Sequence, residues 1–239
     1  MFFYDKKLSD LDKSKLGMLL FSLLILLAGL VYSISITWKV MSQQKLSIDR
    51  AIFEIVRSTS PDGKELIFQW LSKLGSVPVV ATASFLVVIY FLFLSPFSRW
   101  LALYFAVGMA GVSIITKLLK MTTSRARPEF LGDFHGTSSS FPSGHTSAAV
   151  VFYGFMMYVL GATRLGRKWK ITVNAVLVAI IVGISLSRVY LGVHFFSDVI
   201  TGFFLGCVWL ALCITGLEVT MKYKNKKPHR SDEEITRAK

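Results

Sequence analysis

Six stretches of the chain are apolar, with polar and charged residues gathered between them. They run from Leu16 to Trp38, Leu74 to Ser98, Trp100 to Thr116, Thr146 to Thr163, Ile171 to Ser187 and Val199 to Leu217. A helix crossing the hydrocarbon core of a bilayer needs ~20 apolar residues, within a range of about 17–25. Each run reaches that range or comes close. Backbone amides left unpaired in lipid are costly, so irregular backbone cannot face the bilayer. The pattern therefore predicts an all-α integral membrane protein with six transmembrane helices. Residues 1–15 form an N-terminal segment, 16–221 the membrane domain and 222–239 a polar, basic tail expected to be disordered.

The first run follows a basic start holding Lys6, Lys7, Lys13 and Lys15. A cleavable signal peptide competes with a retained anchor there. The run is long enough to span and lacks a clear small-residue cleavage site, which favours the anchor. An even number of spans puts both ends of the chain on one side. The connection Arg164-Leu165-Gly166-Arg167-Lys168-Trp169-Lys170 carries basic residues and no acid, a cytoplasmic signal. Lys222, Lys224, Lys226, Lys227 and Arg230 in the tail agree with it, although basic residues also occur on the other side. The expected topology has both termini cytoplasmic, in a cell or inner membrane. Loops 39–73 and 117–145 and the turn near Arg188 then face outside.

Loop 39–73 has its own periodicity. Ile48, Ala51, Ile52, Ile55 and Val56 recur at helical spacing, with Asp49, Arg50, Glu54 and Arg57 opposite. A second short helix is expected from Ser60 as N-cap and Pro61 in the first turn. Such helices either lie on the membrane and cap the bundle, or form a lid admitting a lipid sideways.

Composition narrows the class. The chain is 53% hydrophobic with mean hydropathy +0.57, too apolar for an ordinary soluble domain of 239 residues. The net charge of +13 would raise nucleic-acid binding in a soluble protein. Here the charges flank apolar runs, where orientation and anionic headgroups account for them, so no nucleic-acid partner is expected. Cys207 and Cys213 lie inside an apolar run and read as buried small residues, neither a disulfide nor a metal site.

Three polar clusters fall at the outer ends of different spans, and the topology brings them to one face of the membrane. The first is Lys120 with Arg127-Pro128. Alone, these are a snorkelling lysine and an interfacial arginine. With Arg188 they make a set of cations suited to a phosphate, arginine as a planar fork and lysine as a point charge. The second is Pro142-Ser143-Gly144-His145. Ser143 can cap the fourth span and Gly144 lets a ligand approach the backbone. A helix N-terminus favours an anion, and a cationic His145 is disfavoured there unless an anion is beside it. The third cluster is Ser187-Arg188, His194 and Asp198. On a helix, His194 and Asp198 share a face. A carboxylate on one ring nitrogen fixes the tautomer and frees the other to attack. A structural His–Asp pair is the competing account.

In order and internal spacing these clusters resemble the three-part signature of the type 2 phosphatidic acid phosphatase superfamily, with no departure at a signature position. The signature covers residues 120–198, and the six-span layout extends the resemblance over most of the chain. The resemblance implies that His194 forms a phosphohistidine and Asp198 orients it. It implies that His145 protonates the leaving oxygen and then activates water. Lys120, Arg127, Ser143, Gly144 and Arg188 would hold the phosphate, with no metal or other cofactor. The superfamily also holds vanadium haloperoxidases and soluble acid phosphatases, against which six spans argue. Bacterial membrane members act on undecaprenyl diphosphate, phosphatidylglycerol phosphate or phosphatidic acid, so a lipid phosphate in a membrane is the expected partner. An outward site suits undecaprenyl diphosphate recycling in cell-wall synthesis. A lipid phosphotransferase would use the same residues with a different acceptor. A lipid transporter would carry charges mid-span, whereas these sit at span ends.

Overall fold

Each apolar run folds as a helix, but the helices overrun the runs at their polar ends. The structure, a computed structural model, describes residues 13–44, 46–58, 65–128 and 139–226. In chain order α1 is Lys13–Met41, α2 Ser47–Ser58, α3 Glu65–Leu74 and α4 Val77–Ile89. α5 is Trp100–Thr123, α6 Gly144–Ala162, α7 Arg167–Tyr190 and α8 Phe196–Lys226. α4 continues into a π turn over Tyr90–Leu94, closed by Ser95 N donating to the Tyr90 carbonyl at 2.9 Å. Among the described residues, six helices are long and apolar enough to cross a membrane: α1, α4 with its π turn, α5, α6, α7 and α8. The protein is an all-α, multi-pass membrane protein.

The boundaries differ from the apolar runs in informative ways. α5 continues past Thr116, so Lys120 lies within its last turn instead of beyond the span. α8 continues past Met221 to Lys226, carrying the start of the basic tail as helix. Hydrophobicity locates the part of a helix in lipid, whereas hydrogen bonding carries the helix on into the headgroup zone. The proposed Ser60 cap lies outside the described residues.

α8 is the axis of the bundle, packing against α6, α5 and α1, while α6 also packs on α7 and α5. Two glycines let α8 come close to α6. A Cβ built on Gly202 would stand 2.6 Å from the Ser143 carbonyl oxygen, and one on Gly206 2.9 Å from that of Ser147. Four residues apart, they form the small-residue seam that lets membrane helices approach backbone to backbone. At the far end an aromatic core fills the wider gap. Phe105 meets Phe155 at 5.2 Å and Phe152 at 5.7 Å between ring centroids, both edge-on, with Phe91, Leu101 and Leu217 buried beside them. Edge-to-face rings pack densely without polar atoms. The core toward one end of the bundle is thus apolar, and the three polar clusters gather at the other.

α2 and α3 cap that charged end. α3 packs on α7, and α2 rests on α7 and α8. α2 forms the helix its spacing predicts, and Asp49 departs from its polar face. Ile48 and Ile55 are 42% and 55% exposed, whereas Asp49, assigned to the polar face, is only 4% exposed. Asp49 alone among the described charges of α2 turns inward, because specific partners await it there, as described below.

Candidate active site

α5 stops at Ser124, which adopts a left-handed conformation with φ 45°. The chain then runs extended to Pro128 and is pinned to residues 139–141. Ser140 N donates to the Arg125 carbonyl at 2.9 Å, Arg125 N to Ser139 Oγ at 3.0 Å, and Ser140 Oγ to the Ala126 carbonyl at 3.0 Å. Lys120 reaches across the same junction, donating to the Ser139 carbonyl at 2.5 Å. Arg127 donates to the Val193 carbonyl at 3.0 Å, tying this segment to the turn that carries His194. Burial lowers the affinity of Arg127 for its proton and Asp198 opposes the effect, and the guanidinium stays cationic at neutral pH.

Ser143 caps α6 as the sequence predicts. Its Oγ accepts from Thr146 N at 3.5 Å and pairs with Thr146 Oγ1 at 3.0 Å. Its own N–H donates to the Asp198 carbonyl at 3.0 Å, so the start of α6 is fastened to the start of α8. Ser143 is fully buried and its polar groups are used within the protein. Gly144 and His145 follow as the first helical residues, where backbone N–H groups have no intrahelical acceptor. A Cβ on Gly144 would meet nothing within 4 Å among the described residues.

His194 and Asp198 do not share a helix. α7 ends in a turn in which Gly192, at φ 62°, takes the left-handed position. Val193 N donates to the Arg188 carbonyl at 3.2 Å and Gly192 N to that of Val189 at 3.0 Å, the paired bonds of a Schellman cap. His194 therefore lies in the connection, and α8 begins only at Phe196. The side chains still meet: His194 Nδ1 is 3.5 Å from Asp198 Oδ2. That is ion-pair distance, longer than a formed hydrogen bond, and among the described residues Nδ1 has no other partner. Such contacts commonly tighten when substrate binds. Burial pushes the His194 ring down to about 4, against the pull of Asp198 and with help from the Arg188 and Lys120 charges. The imidazole is neutral at pH 7, the form in which a ring nitrogen carries a free lone pair.

Arg188, in the last turn of α7, is 9% exposed. Its guanidinium donates to Ser72 Oγ of α3, and its carbonyl accepts from both Val193 N and His194 N. Its Nε is buried with no hydrogen-bond partner among the described residues. Electrostatically the clusters are one site. Lys120 feels Arg127, Asp198 and Arg188, and His145 feels Arg188, His194, Lys120 and Arg127. Lys120, Arg127 and Arg188 thus act on two histidines at one end of the bundle, with the Asp198 carboxylate behind His194. Such a site suits a tetrahedral dianion.

The family model described as the PAP2 superfamily matches residues 101–221, half of the chain. The chain belongs to the PAP2 superfamily. This PAP2 protein is 38% identical over 117 residues to phosphatidylglycerophosphatase B of Bacillus subtilis strain 168, covering 48% of this chain and 56% of that protein. Over 123 residues it is 26% identical to a lipid A 1-phosphatase of Rhizobium johnstonii, covering 47% and 46%. The chain spans about half the length of the curated relatives it matches. The crystal structure of the transmembrane PAP2-type phosphatidylglycerolphosphate phosphatase from Bacillus subtilis superimposes with a TM-score of 0.68 at 25% identity, covering 84% of this chain and 98% of that one. The Aquifex aeolicus LpxE structure shares the fold, with a TM-score of 0.56 at 19% identity over 72% of this chain and 97% of that one.

Sequence reasoning missed several residues of this PAP2 site. Arg125 bridges Asp198 and Asp49, and Ser72 receives Arg188. Arg125 carried a faint signal, standing two positions before Arg127 in a short polar connection. Ser72 carried none. Gly192 was a readable one, since a glycine just past an apolar helix marks its C-terminal cap.

Proposed function

We propose that this PAP2 protein is a metal-independent lipid phosphatase that hydrolyses a lipid phosphomonoester or diphosphate through a phosphohistidine. Its substrate is drawn from phosphatidylglycerol phosphate, undecaprenyl diphosphate and phosphatidic acid. The observation that carries the reading is the ring of Lys120, Arg127 and Arg188 acting on the His145–His194 pair, with Asp198 at His194 Nδ1. The Bacillus relative, named for phosphatidylglycerophosphate, makes that lipid the first substrate to try.

In this mechanism Asp198 holds the Nδ1 proton, leaving His194 Nε2 with a free lone pair. Nε2 attacks phosphorus and the bond from phosphorus to the leaving oxygen breaks. His145, held as the imidazolium beside the bound phosphate dianion, gives its proton to the departing alkoxide, or to the departing phosphate when the substrate is a diphosphate. Neutral His145 then takes a proton from water, whose oxygen attacks the phosphoryl group. The P–N bond breaks, His194 is regenerated and inorganic phosphate leaves. Lys120, Arg127 and Arg188 bind the phosphoryl oxygens, joined by the amide of Gly144, while Ser143 sets where that helix begins. Lys120, Arg127 and Arg188 outweigh the carboxylate facing His194, that of Asp198, whose other oxygen Arg125 already holds, so the site favours the anion itself over a divalent ion. With both termini cytoplasmic, the site faces outside.

Rapid-quench experiments on detergent-purified protein in EDTA test the assignment. Wild type should release phosphate from phosphatidylglycerol phosphate and form an acid-labile phosphoenzyme. His194→Ala should form none with any substrate. His145→Ala should keep the burst with nitrophenyl phosphate, whose leaving group needs no proton, and lose ~10²–10⁴-fold with a lipid monophosphate. Loss of the burst in His145→Ala for every leaving group, with its survival in His194→Ala, would reverse the two roles.

A further inference from the structure

Behind Asp198 lies a buried chain of charges belonging to none of the three clusters. Asp198 Oδ1 accepts from Arg125 Nη1 at 2.5 Å, while its Oδ2 accepts from Phe195 N at 2.9 Å and faces His194. The other branch of the same guanidinium, Nη2, donates to Asp49 Oδ2 at 2.7 Å. The Arg125 guanidinium carbon lies over the Phe195 ring, 4.1 Å from its centroid, a cation–π contact that helps hold the side chain in place. Asp49 has a second attachment. Its Oδ1 accepts from Ser197 N, and its Oδ2 from Ser197 Oγ, both at 2.8 Å. Ser197 is the second residue of α8 and the neighbour of Asp198. A carboxylate from α2 therefore caps α8 in place of a residue of its own chain segment, and holds the arginine that holds Asp198.

We propose that Asp49 is a positioning residue for phosphoryl transfer, acting through Arg125 and Ser197 on Asp198 and hence on His194. The inference rests on the phosphatase reading above. An arginine shared between two carboxylates divides its charge between them. With Asp49 in place, Asp198 keeps more of its negative charge for the His194 N–H. Without Asp49, Arg125 turns wholly to Asp198 and weakens that pull. Asp49 also sets direction, because the amide it caps adjoins Asp198. A merely structural tie is the weaker account, since buried ion pairs contribute little net stability. The groups facing the His194–Asp198 pair are Asp49 from α2, Lys120 from α5 and Arg125 and Arg127 from the segment after it. His145 of α6 and Arg188 of α7 complete the set.

The test is rapid-quench phosphoenzyme formation from nitrophenyl phosphate by the full chain in detergent. The variants are Asp49→Asn, Arg125→Gln and the double variant. Asp49→Asn keeps the shape and the Ser197 amide bond and removes the charge. It should slow phosphorylation about tenfold, the size of a coupling between contacting groups, and leave KM unchanged. The acid limb of kcat/KM should move to lower pH, since His194 loses a nearby negative charge that favours its protonated form. The double variant should be no slower than Arg125→Gln alone. A folded Asp49→Asn protein with the wild-type rate, or additive losses in the double variant, overturns the proposal. If Asp49→Asn does not fold, Asp49→Glu keeps the charge and displaces the contact. It should then be slow with KM unchanged, and a wild-type rate would count against us. A wild-type enzyme that forms no phosphoenzyme refutes the phosphatase reading. A normal wild-type burst unaltered by Asp49→Asn refutes only this inference.

Discussion

Gly202→Ala tests whether the contact between α6 and α8 sets the geometry of the site. The added Cβ would stand 2.6 Å from the Ser143 carbonyl oxygen, with Ser143 N and C both at 3.4 Å. These are backbone atoms at a helix start, so no side chain can swing aside. Restoring an ordinary contact of 3.4 Å requires the helices to part by about 0.8 Å. That movement separates Ser143, and the Gly144-His145 pair it precedes, from Asp198, whose carbonyl accepts from Ser143 N at 3.0 Å. Overpacking of this kind costs ~1–3 kcal/mol, partly offset by the ~1 kcal/mol preference of a helix for alanine over glycine. Stability should therefore fall by no more than ~2 kcal/mol. Activity should fall further, because a displacement near 1 Å at reacting groups can cost roughly 10²-fold. Phosphate release from phosphatidylglycerol phosphate in micelles, with thermal unfolding of the same samples, measures both. Gly206→Ala is the matched control. Its Cβ meets Ser147 O at 2.9 Å and Val150 Cβ at 2.8 Å, one turn deeper and away from the site residues. It should lose comparable stability with much less activity. A folded Gly202→Ala enzyme with the wild-type rate, or equal rate losses in both variants, would show that the seam does not align the site.

Two further outcomes follow from the buried histidine and the charge pattern. His194 goes from an ordinary 6.5 to about 4 on folding, so the native state resists its protonation. The stability from keeping the ring neutral is complete above pH 6.5 and is lost as pH falls from there to about 4, a change of about 3 kcal/mol. Unfolding temperatures should drop more steeply over that window in wild type than in His194→Gln, and equal slopes would remove the buried neutral ring from the account. For topology, a cysteine placed at Gln44 in a background lacking Cys207 and Cys213 should react with an impermeant reagent in intact cells, and one at Trp169 should not; the opposite labelling would put the site in the cytoplasm.

The spans and the three clusters were legible because each is written locally. Apolar length needs no partner, and the residues from Pro142 to His145 are contiguous. Hidden features depended on distant partners. Asp49 reads as the polar face of a surface helix until Ser197, 148 positions later, supplies an amide and a hydroxyl for its carboxylate. Gly202 and Gly206 are ordinary membrane glycines until α6 lies against them. The helical spacing of His194 and Asp198 led to the right contact by the wrong geometry. Gly192 breaks the helix before His194, and the turn then delivers the ring to Asp198 from outside α8.

The capping of α8 by a side chain from α2 has a consequence for biogenesis. At synthesis rates of ~5–20 residues per second, the 148 residues separating Asp49 from Ser197 take ~7–30 s to make. For that interval Asp49 has crossed or reached the membrane surface without the α8 amide it will cap, and Arg125 arrives about halfway through. The first connection must stay hydrated at the interface while four later spans are inserted. Only when α8 enters can the Asp49 carboxylate leave water, because only then are all its hydrogen-bond donors present. The end holding the three polar clusters is therefore the last part to be completed, and an insertion intermediate holding the first five spans would be a membrane protein without a finished site.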